Sequence, residues 1–320
     1  TTQSPSSGVQ GYVIYGREAG NETFLSRINS TSLSWNDDGI SQPAVLSEPP
    51  TADSTGGPVA KYIIKQDNRL ILGNIENKKS RVMFSGKLQN SEKFHWSQGG
   101  GYIDIDVDSG DDITGLTVFQ NKVIVFKEKS IWELVLDTIT IGNWTLVNPA
   151  VQAITNSHGA VSCRAIVEVE NDVFFLTRKG VYVLGYEPNI LNVLRTNEVS
   201  ARIRPFFDNL TYADLQSACS DYIDKKYIIS FPISKKTVVY DRERMAWTGP
   251  WITGFGIRQW HIYYDSVGDQ RWLAGDNSDA YVSEFHSGYT NDKGTAFNTI
   301  LRTRKENFGD WSVFKTIKDL

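Results

Sequence analysis

Cysteine and histidine are scarce in this chain. Two cysteines, Cys163 and Cys219, in 320 residues cannot build a disulfide framework, and four histidines spread along the chain offer no pair at zinc-ligand spacing. Both thiols are therefore expected to be buried, and no metal or other cofactor is expected. Long apolar runs are missing too: nothing approaches the roughly 20 residues that a membrane-spanning helix needs, and no basic-then-apolar leader opens the chain. No membrane anchor is expected. An excess of one charge is also lacking, since 33 Lys and Arg stand against 37 Asp and Glu for a formal charge of −4. That balance excludes the basic footprint of a protein that wraps nucleic acid. There is no Gly-x-Ser-x-Gly elbow, no phosphate-cradling glycine loop and no His-Glu-x-x-His, so the common hydrolase and nucleotide motifs are absent.

Repetition is present instead. Five segments share one cadence, a polar turn followed by a strand: "DNRLILG" (67–73), "NKVIVFK" (121–127), "NDVFFLT" (171–177), "KKYIISF" (225–231) and "DQRWLAG" (269–275). A second strand follows each, in "RVMFSG", "SIWELVL", "GVYVLGY", "TVVYD" and "AYVSEF". Another precedes each, in "KYIIK", "ITGLTVF", "AIVEVE", "ACSDYI" and "WHIYYD". These are three-stranded meanders joined by tight turns. Taking Leu70, Val123, Val173, Tyr227 and Arg271 as equivalent gives spacings of 53, 50, 54 and 44 residues, a period typical of a propeller or an array. A fourth strand is expected where tryptophan recurs, in "FHWSQ", "GNWTL" and "MAWTG", with the third unit lacking it.

The middle strands are apolar on both faces, where a sheet with one wet face alternates. Blades of a propeller are covered on both sides by their neighbours, whereas the sheets of a sandwich each keep one wet face. The expected fold is therefore an all-β propeller with five visible blades, or six if one is divergent or completed from both ends; a large β-sandwich is the competing reading. One segment, "TNEVSARIRPFFDNL" (196–210), places Val199, Ile203 and Phe206 near helical spacing, and Pro205 limits it to a short helix.

The expected domains are a partial sandwich-like segment and linker over 1–50, the propeller over 51–296 and the start of a further β segment over 297–320. The first resembles half of a fibronectin-type-III-like sandwich, which cannot bury its own core. The expectation is a propeller strung between sandwich modules of a longer chain.

Three groups of residues invite a chemical reading. In "YIDIDVDSGDD" (102–112), Asp104, Asp106, Asp108, Asp111 and Asp112 resemble a calcium loop, but Gly110 is at the seventh position from Asp104 and Gly115 at the twelfth, where a helix-loop-helix calcium site has Gly at six and Glu at twelve. The alternative is a strand with alternate residues facing solvent, turning at Gly110 and Asp111. Asp221, Asp241 and Glu284 are candidate glycosidase carboxylates, each near a strand, with nothing in the spacing to pair them. Trp96, Trp144 and Trp247 recur with the repeat and read as packing, which leaves the less periodic Trp251, Trp260 and Trp272 as candidates to stack on a sugar. His95, His158, His261 and His286 read as structural.

Written one unit under another, the stretch "SRVMFSGKLQNSEKFHWSQGGGYIDI" leads into "GDDITGLTVFQNKVIVFKEKSIWEL". It resembles the β-propeller proteins of tailed-bacteriophage virions, of the tail-nozzle, tail-hub and DNA-stabilisation type. The shared phrase, G-D-x-I-T-x-L, a strand, F-K, then aromatic-x-Leu, falls here on Gly110, Asp111, Ile113, Thr114, Leu116, Phe126, Lys127, Trp132 and Leu134. The resemblance covers roughly residues 60–310, including the short "NEVSARIRPFF" helix. It carries packing and turn signals and no catalytic residue. It implies a non-enzymatic structural protein located in the virion tail or neck, assembled as a homo-oligomeric ring. Its neighbours would be portal, adaptor or other tail components of the head-tail connector, with DNA passing transiently during genome ejection. The reading from a different class is a carbohydrate-binding or glycoside-hydrolysing propeller that engages a host-surface glycan.

Overall fold

The computed structural model describes residues 11–16, 23–29, 36, 58–87, 94, 99–141, 144–186, 193–285, 291–292 and 295–296. The chain divides into two compact units, Thr1–Asn209 and Leu210–Leu320. Both are built from antiparallel sheets, and among the described residues no helix is long and apolar enough to cross a membrane.

In the first unit a hairpin of β1 (Gly11–Gly16) and β2 (Thr23–Asn29) precedes three four-stranded meanders. Sheet one is β3 (Ala60–Gln66), β4 (Arg69–Ile75), β5 (Lys78–Phe84) and β6 (Gly101–Asp104). Sheet two is β7 (Ile113–Phe119), β8 (Lys122–Lys127), β9 (Ile131–Ile141) and β10 (Trp144–Thr155). Sheet three is β11 (Ile166–Val169), β12 (Asp172–Thr177), β13 (Gly180–Tyr186) and β14 (Leu194–Glu198), followed by the short helix α1 (Arg204–Asp208).

The second unit opens with α2 (Tyr212–Ser217). Sheet four is β15 (Cys219–Ile223), β16 (Lys226–Phe231), β17 (Lys236–Asp241) and β18 (Ala246–Ile252). Sheet five has three strands, β19 (Ile257–Tyr264), β20 (Gln270–Asp276) and β21 (Val282–Phe285), before the two-residue strands β22 (Asn291–Asp292) and β23 (Thr295–Ala296).

The repeat is real at the level of single residues. Leu70, Val123, Val173, Tyr227 and Arg271 are each the second residue of the second strand of their sheet. Three of the turns that set this register have left-handed pairs: Asp67 and Asn68, Gln120 and Asn121, and Asp224 and Lys225 all have positive φ. Such pairs make the type I′ turn whose twist matches a two-residue hairpin.

The two-sided apolar pattern of β8 has a direct cause. Val123 and Val125 pack into a core with Ile71, Val82 and Phe84 of sheet one, while Ile124 and Phe126 pack into another with Val173, Phe175 and Leu184 of sheet three. Alternate side chains on one strand thus serve two cores. In the second unit, Cys219, Ile223, Ile228 and Val239 of sheet four meet Phe255 and sheet five's Ile257, Trp260 and Ala274.

Four expectations need correction. The fourth strand of sheet one is β6, later than the "FHWSQ" segment, and it is held by the fork of Arg81 on Asp104, with Nε to Oδ1 and Nη2 to Oδ2 both at 2.8 Å. Sheet three has a fourth strand without tryptophan, because main-chain pairing of Leu194–Glu198 with Tyr182–Tyr186 suffices. That pairing takes Thr196, Asn197 and Glu198 from the expected helix, which shrinks to a 3-10 turn and α1, with Pro205 in its first turn. Cys163 is exposed, at the start of a 3-10 turn, and only Cys219 is buried.

Of the sandwich-like segment expected over 1–50, only the hairpin strands and Asn36 are described; the remainder lies outside the described residues, as do 297–320, His95, Trp96 and His286.

Candidate functional site

The aspartate-rich turn that resembled a calcium loop joins sheet one to sheet two, and its cation is internal. β6 ends at Asp104, so Asp106 and Asp108 do not lie on a strand as the alternative reading had them; Val107–Ser109 form a 3-10 turn between the left-handed Asp106 and Gly110. Lys127, the last residue of β8, sends its ammonium into this turn. Nζ donates to the Ile105 carbonyl at 3.0 Å, the Asp106 carbonyl at 2.8 Å and the Ser109 hydroxyl at 3.0 Å. All three of its protons are engaged, and the residue is 0 % exposed. Burial pushes its pKa below the ordinary lysine range, while Asp106, Asp111 and Asp112 pull in the opposite sense. A calcium ion would need six to eight oxygens; here two carbonyls that face inward already serve the ammonium. Among the described residues, no three His, Cys, Asp or Glu side chains gather to hold a metal ion.

The surroundings of Lys127 are equally committed. Asp111, nearly buried, accepts the Lys129 N–H at 2.7 Å on Oδ2, and its carbonyl accepts the Ser80 hydroxyl at 3.2 Å. Trp132 donates its indole N–H to Ser130 at 2.9 Å, and Thr114 donates to the Phe126 and Ala160 carbonyls at 3.2 and 2.7 Å. Gly159 lets sheet three's lead-in approach: a Cβ there would sit 2.0 Å from the Lys127 carbonyl oxygen and 2.6 Å from that of Ser130. Ile113 and Phe126 are fully buried, Leu134 nearly so, and Leu116 and Trp132 pack partly buried on the core between sheets one and two. Gly110 supplies the left-handed turn at φ +64°. Lys127 and Asp111 therefore fasten the turn between sheets one and two, with Ile113, Leu116, Trp132 and Leu134 packed beside them.

The role of Lys127 is not legible in the sequence, nor is that of two further internal fasteners. Arg69, nearly buried, donates from Nη1 to the Ser85 carbonyl at 2.6 Å and to that of Gly99. Asn74 donates to the Ile113 carbonyl of sheet two at 2.7 Å. The available signal was a charged or amide side chain directly flanking a strand whose other residues are apolar, as in "NRLILGN" and "VIVFK".

The candidate carboxylates are held by separate partners. Asp241 accepts the Arg244 N–H at 2.9 Å and its guanidinium at 2.7 Å, which keeps its carboxyl below the usual range. Asp221 is half-buried on β15, and desolvation pushes its carboxyl up. Glu284 lies in sheet five, with Oε1 3.5 Å from Arg271 Nη1.

The three candidate tryptophans differ. Trp260 is 0 % exposed and donates its indole N–H to Ser230 at 2.8 Å, so it has no free face to offer a sugar. Trp272 packs partly buried on the same core, and Trp251, on β18, is 38 % exposed. His158 is half-buried against Tyr182, bonded to the Ser157 and Thr196 hydroxyls at 2.8 Å each, and burial lowers its pKa. His261 is exposed on β19.

No family model matches this chain, and no curated protein does. Among solved structures it is similar to a chain of "Crystal Structure of Mitotic Checkpoint Complex", at 8 % identity and a TM-score of 0.36, over 76 % of this chain and 84 % of that one. The described residues form an all-β succession of antiparallel sheets, several of them four-stranded, with few helices.

Proposed function

We propose that this chain is a non-enzymatic structural protein of a tailed-phage virion, part of a tail or head-to-tail nozzle or hub, whose sheets stand around an axis as β-propeller blades and whose copies assemble into a ring. The observation that carries the reading is the Lys127 fastening. The phrase that resembles virion propellers, within Gly110 to Leu134, includes residues that tie one sheet to the next, with the Lys127 ammonium and the Asp111 carboxylate engaged in internal hydrogen bonds. The propeller arrangement is supported by the residue-level repeat and by β8 serving cores on both sides. Rings of copies need one heterologous contact repeated by rotation. The near balance of charge suits a surface past which DNA slides without adhering. Portal, adaptor or other tail proteins are the expected neighbours.

The test is immunogold electron microscopy of phage particles from the source culture, with an antibody raised against this chain. Label confined to tail or neck is the expected result. Unlabelled particles, with intact antigen present in the same culture, would overturn the reading.

A glycan-engaging propeller is the second reading, and Trp251 is the observation that favours it, as the candidate tryptophan with more than a third of its surface exposed. Binding on a glycan array that is lost with Trp251→Ala would move this reading to first place.

A further inference from the structure

Between β10 of sheet two and β11 of sheet three the chain runs through a linker, and from Asn156 to Ser162 that linker carries one ionisable side chain, His158. Its Nδ1 is 2.8 Å from the Ser157 hydroxyl of the linker itself, and its Nε2 is 2.8 Å from the Thr196 hydroxyl of β14, the fourth strand of sheet three. The ring lies against Tyr182 of β13 and Phe175 of β12, with centroids at 4.5 and 6.4 Å. The three residues that follow are committed to both sheets. Gly159 sits against the Lys127 and Ser130 carbonyls at the β8–β9 corner, Ala160 lies in the core that sheets two and three share, and the Val161 N–H donates to the Leu176 carbonyl of β12 at 2.9 Å.

We propose that His158 is an acid-sensitive latch: uncharged, it holds this linker against β14, and on taking up a proton it lets the linker and β14 part. A neutral imidazole has one donor and one acceptor, and two hydroxyls complete both in either tautomer. An imidazolium in the same place is a half-buried charge whose two nitrogens meet neutral oxygens. The charged groups around it do not answer it. Lys179, in the β12–β13 turn, repels it, and the neighbouring Arg178 is paired with Glu128. On β14, Glu198 is forked by Arg204, while Arg195 is on the opposite face of the strand to Thr196. Tyr182 stays protonated, since burial raises its phenol. The ring faces of Tyr182 and Phe175 attract a cation, but burial and then Lys179 prevail and hold the His158 pKa below the ordinary histidine value. An opened joint, in which the imidazole meets water, therefore binds a proton more readily than the closed one. The closed form is favoured most above the unperturbed value near about 6.5 and loses ground as pH falls toward the closed form's own value. The inference concerns the joint between two sheets and does not depend on the virion reading.

Hydrogen–deuterium exchange on the full chain between about pH 8 and about pH 5 tests it, with each rate divided by its intrinsic rate so that the chemistry of exchange drops out. The expected result is that protection at 158–161 and at Leu194–Glu198 falls by about threefold or more on acidification, while β8 and β12 keep theirs. His158→Gln retains hydrogen-bonding groups and cannot titrate, so its joint should hold one level of protection across the range. Lys179→Met leaves the imidazole in place and removes the facing charge, so its acid loss should be smaller than that of the wild type; this variant decides the question if the glutamine variant does not fold. Flat protection of the joint in the wild type would overturn the proposal, as would an acid loss undiminished in either variant. Protection lost in parallel from β8 and β12 would overturn it too, by making the change a general acid unfolding.

Discussion

Lys127 Nζ lies 2.8 Å from the carbonyl oxygen of Asp106, across the junction between two successive sheets. A side chain of sheet two thereby holds the turn through which sheet one enters sheet two, in the position that a bound cation would take in a loop of similar sequence. The arrangement places an internal cation in a turn that carries five aspartates within nine residues.

Replacing the ammonium with an isosteric apolar group should expose the cost of the unfilled turn. Lys127→Met leaves two inward carbonyls and the Ser109 hydroxyl without their donor. A loss of about 3 kcal/mol is expected from chemical unfolding. Added calcium should leave the wild-type midpoint where it is, because a ligand shifts stability only when it binds the folded state. A loss under about 0.5 kcal/mol would mean that water replaces the ammonium without penalty.

Two glycines near this junction should respond differently to alanine. At Gly159 the new Cβ would collide with two backbone oxygens, so Gly159→Ala is expected to cost about 4 kcal/mol or to prevent folding. At Gly110 the space is open and only the left-handed backbone resists, so Gly110→Ala should cost about 1 kcal/mol. Unfolding midpoints of the pair check the contrast.

The two tryptophans should separate packing from display. Trp260→Phe removes the indole donation to Ser230 and is expected to cost about 2 kcal/mol, and Trp260→Ala about 4 kcal/mol. Trp251→Ala should change stability by under about 1 kcal/mol. Equal effects at the two sites would contradict the burial difference.

At the start of α2, the Asp214 carboxyl is desolvated, which alone would raise its pKa. The Thr211 hydroxyl and N–H, donating at 2.6 and 3.0 Å, help to hold it below the usual carboxylate range. A depressed folded pKa stabilises above the unfolded value near about 4 and is lost as pH falls through the folded value. Asp214→Asn should therefore be less stable than wild type at neutral pH, by about 1 kcal/mol for a weakened cap. The gap should close at pH values below the folded pKa, as read from urea midpoints across the acid range.

Thiol labelling offers a quick check of the cysteine correction. In the native chain a thiol reagent should modify Cys163 and spare Cys219, whose Sγ donates to the Ile257 carbonyl at 3.3 Å in a buried core. Both should react once the chain is unfolded. Rapid native labelling of both would contradict the burial of Cys219.

The strand cadence was readable because a meander writes itself locally: two-residue turns, period-two alternation and β-branched runs all lie within a few residues of one another. The equivalence of Leu70, Val123, Val173, Tyr227 and Arg271 survived without a shift. Edges were harder to read. Recurrence of tryptophan marked the fourth strands of sheets two and four, at Trp144 and Trp247, but not β6 and β14, which are held by partners on the strand beside them. The candidate site was legible only as a list, since "DIDVDSGDD" and "VIVFK" sit some twenty residues apart and neither names the other.

By itself, then, the amino-acid sequence determined an all-β chain of repeated meanders whose middle strands must be covered on both faces. Those properties follow from backbone twist and from which side chains water rejects, and both act over short stretches. Tertiary structure alone decided that Lys127 fills the aspartate turn, that Trp260 is core while Trp251 is surface, and that Cys163 faces solvent. Each of these depends on which distant groups desolvate a side chain or answer its hydrogen bonds, and that is set by how the sheets stack.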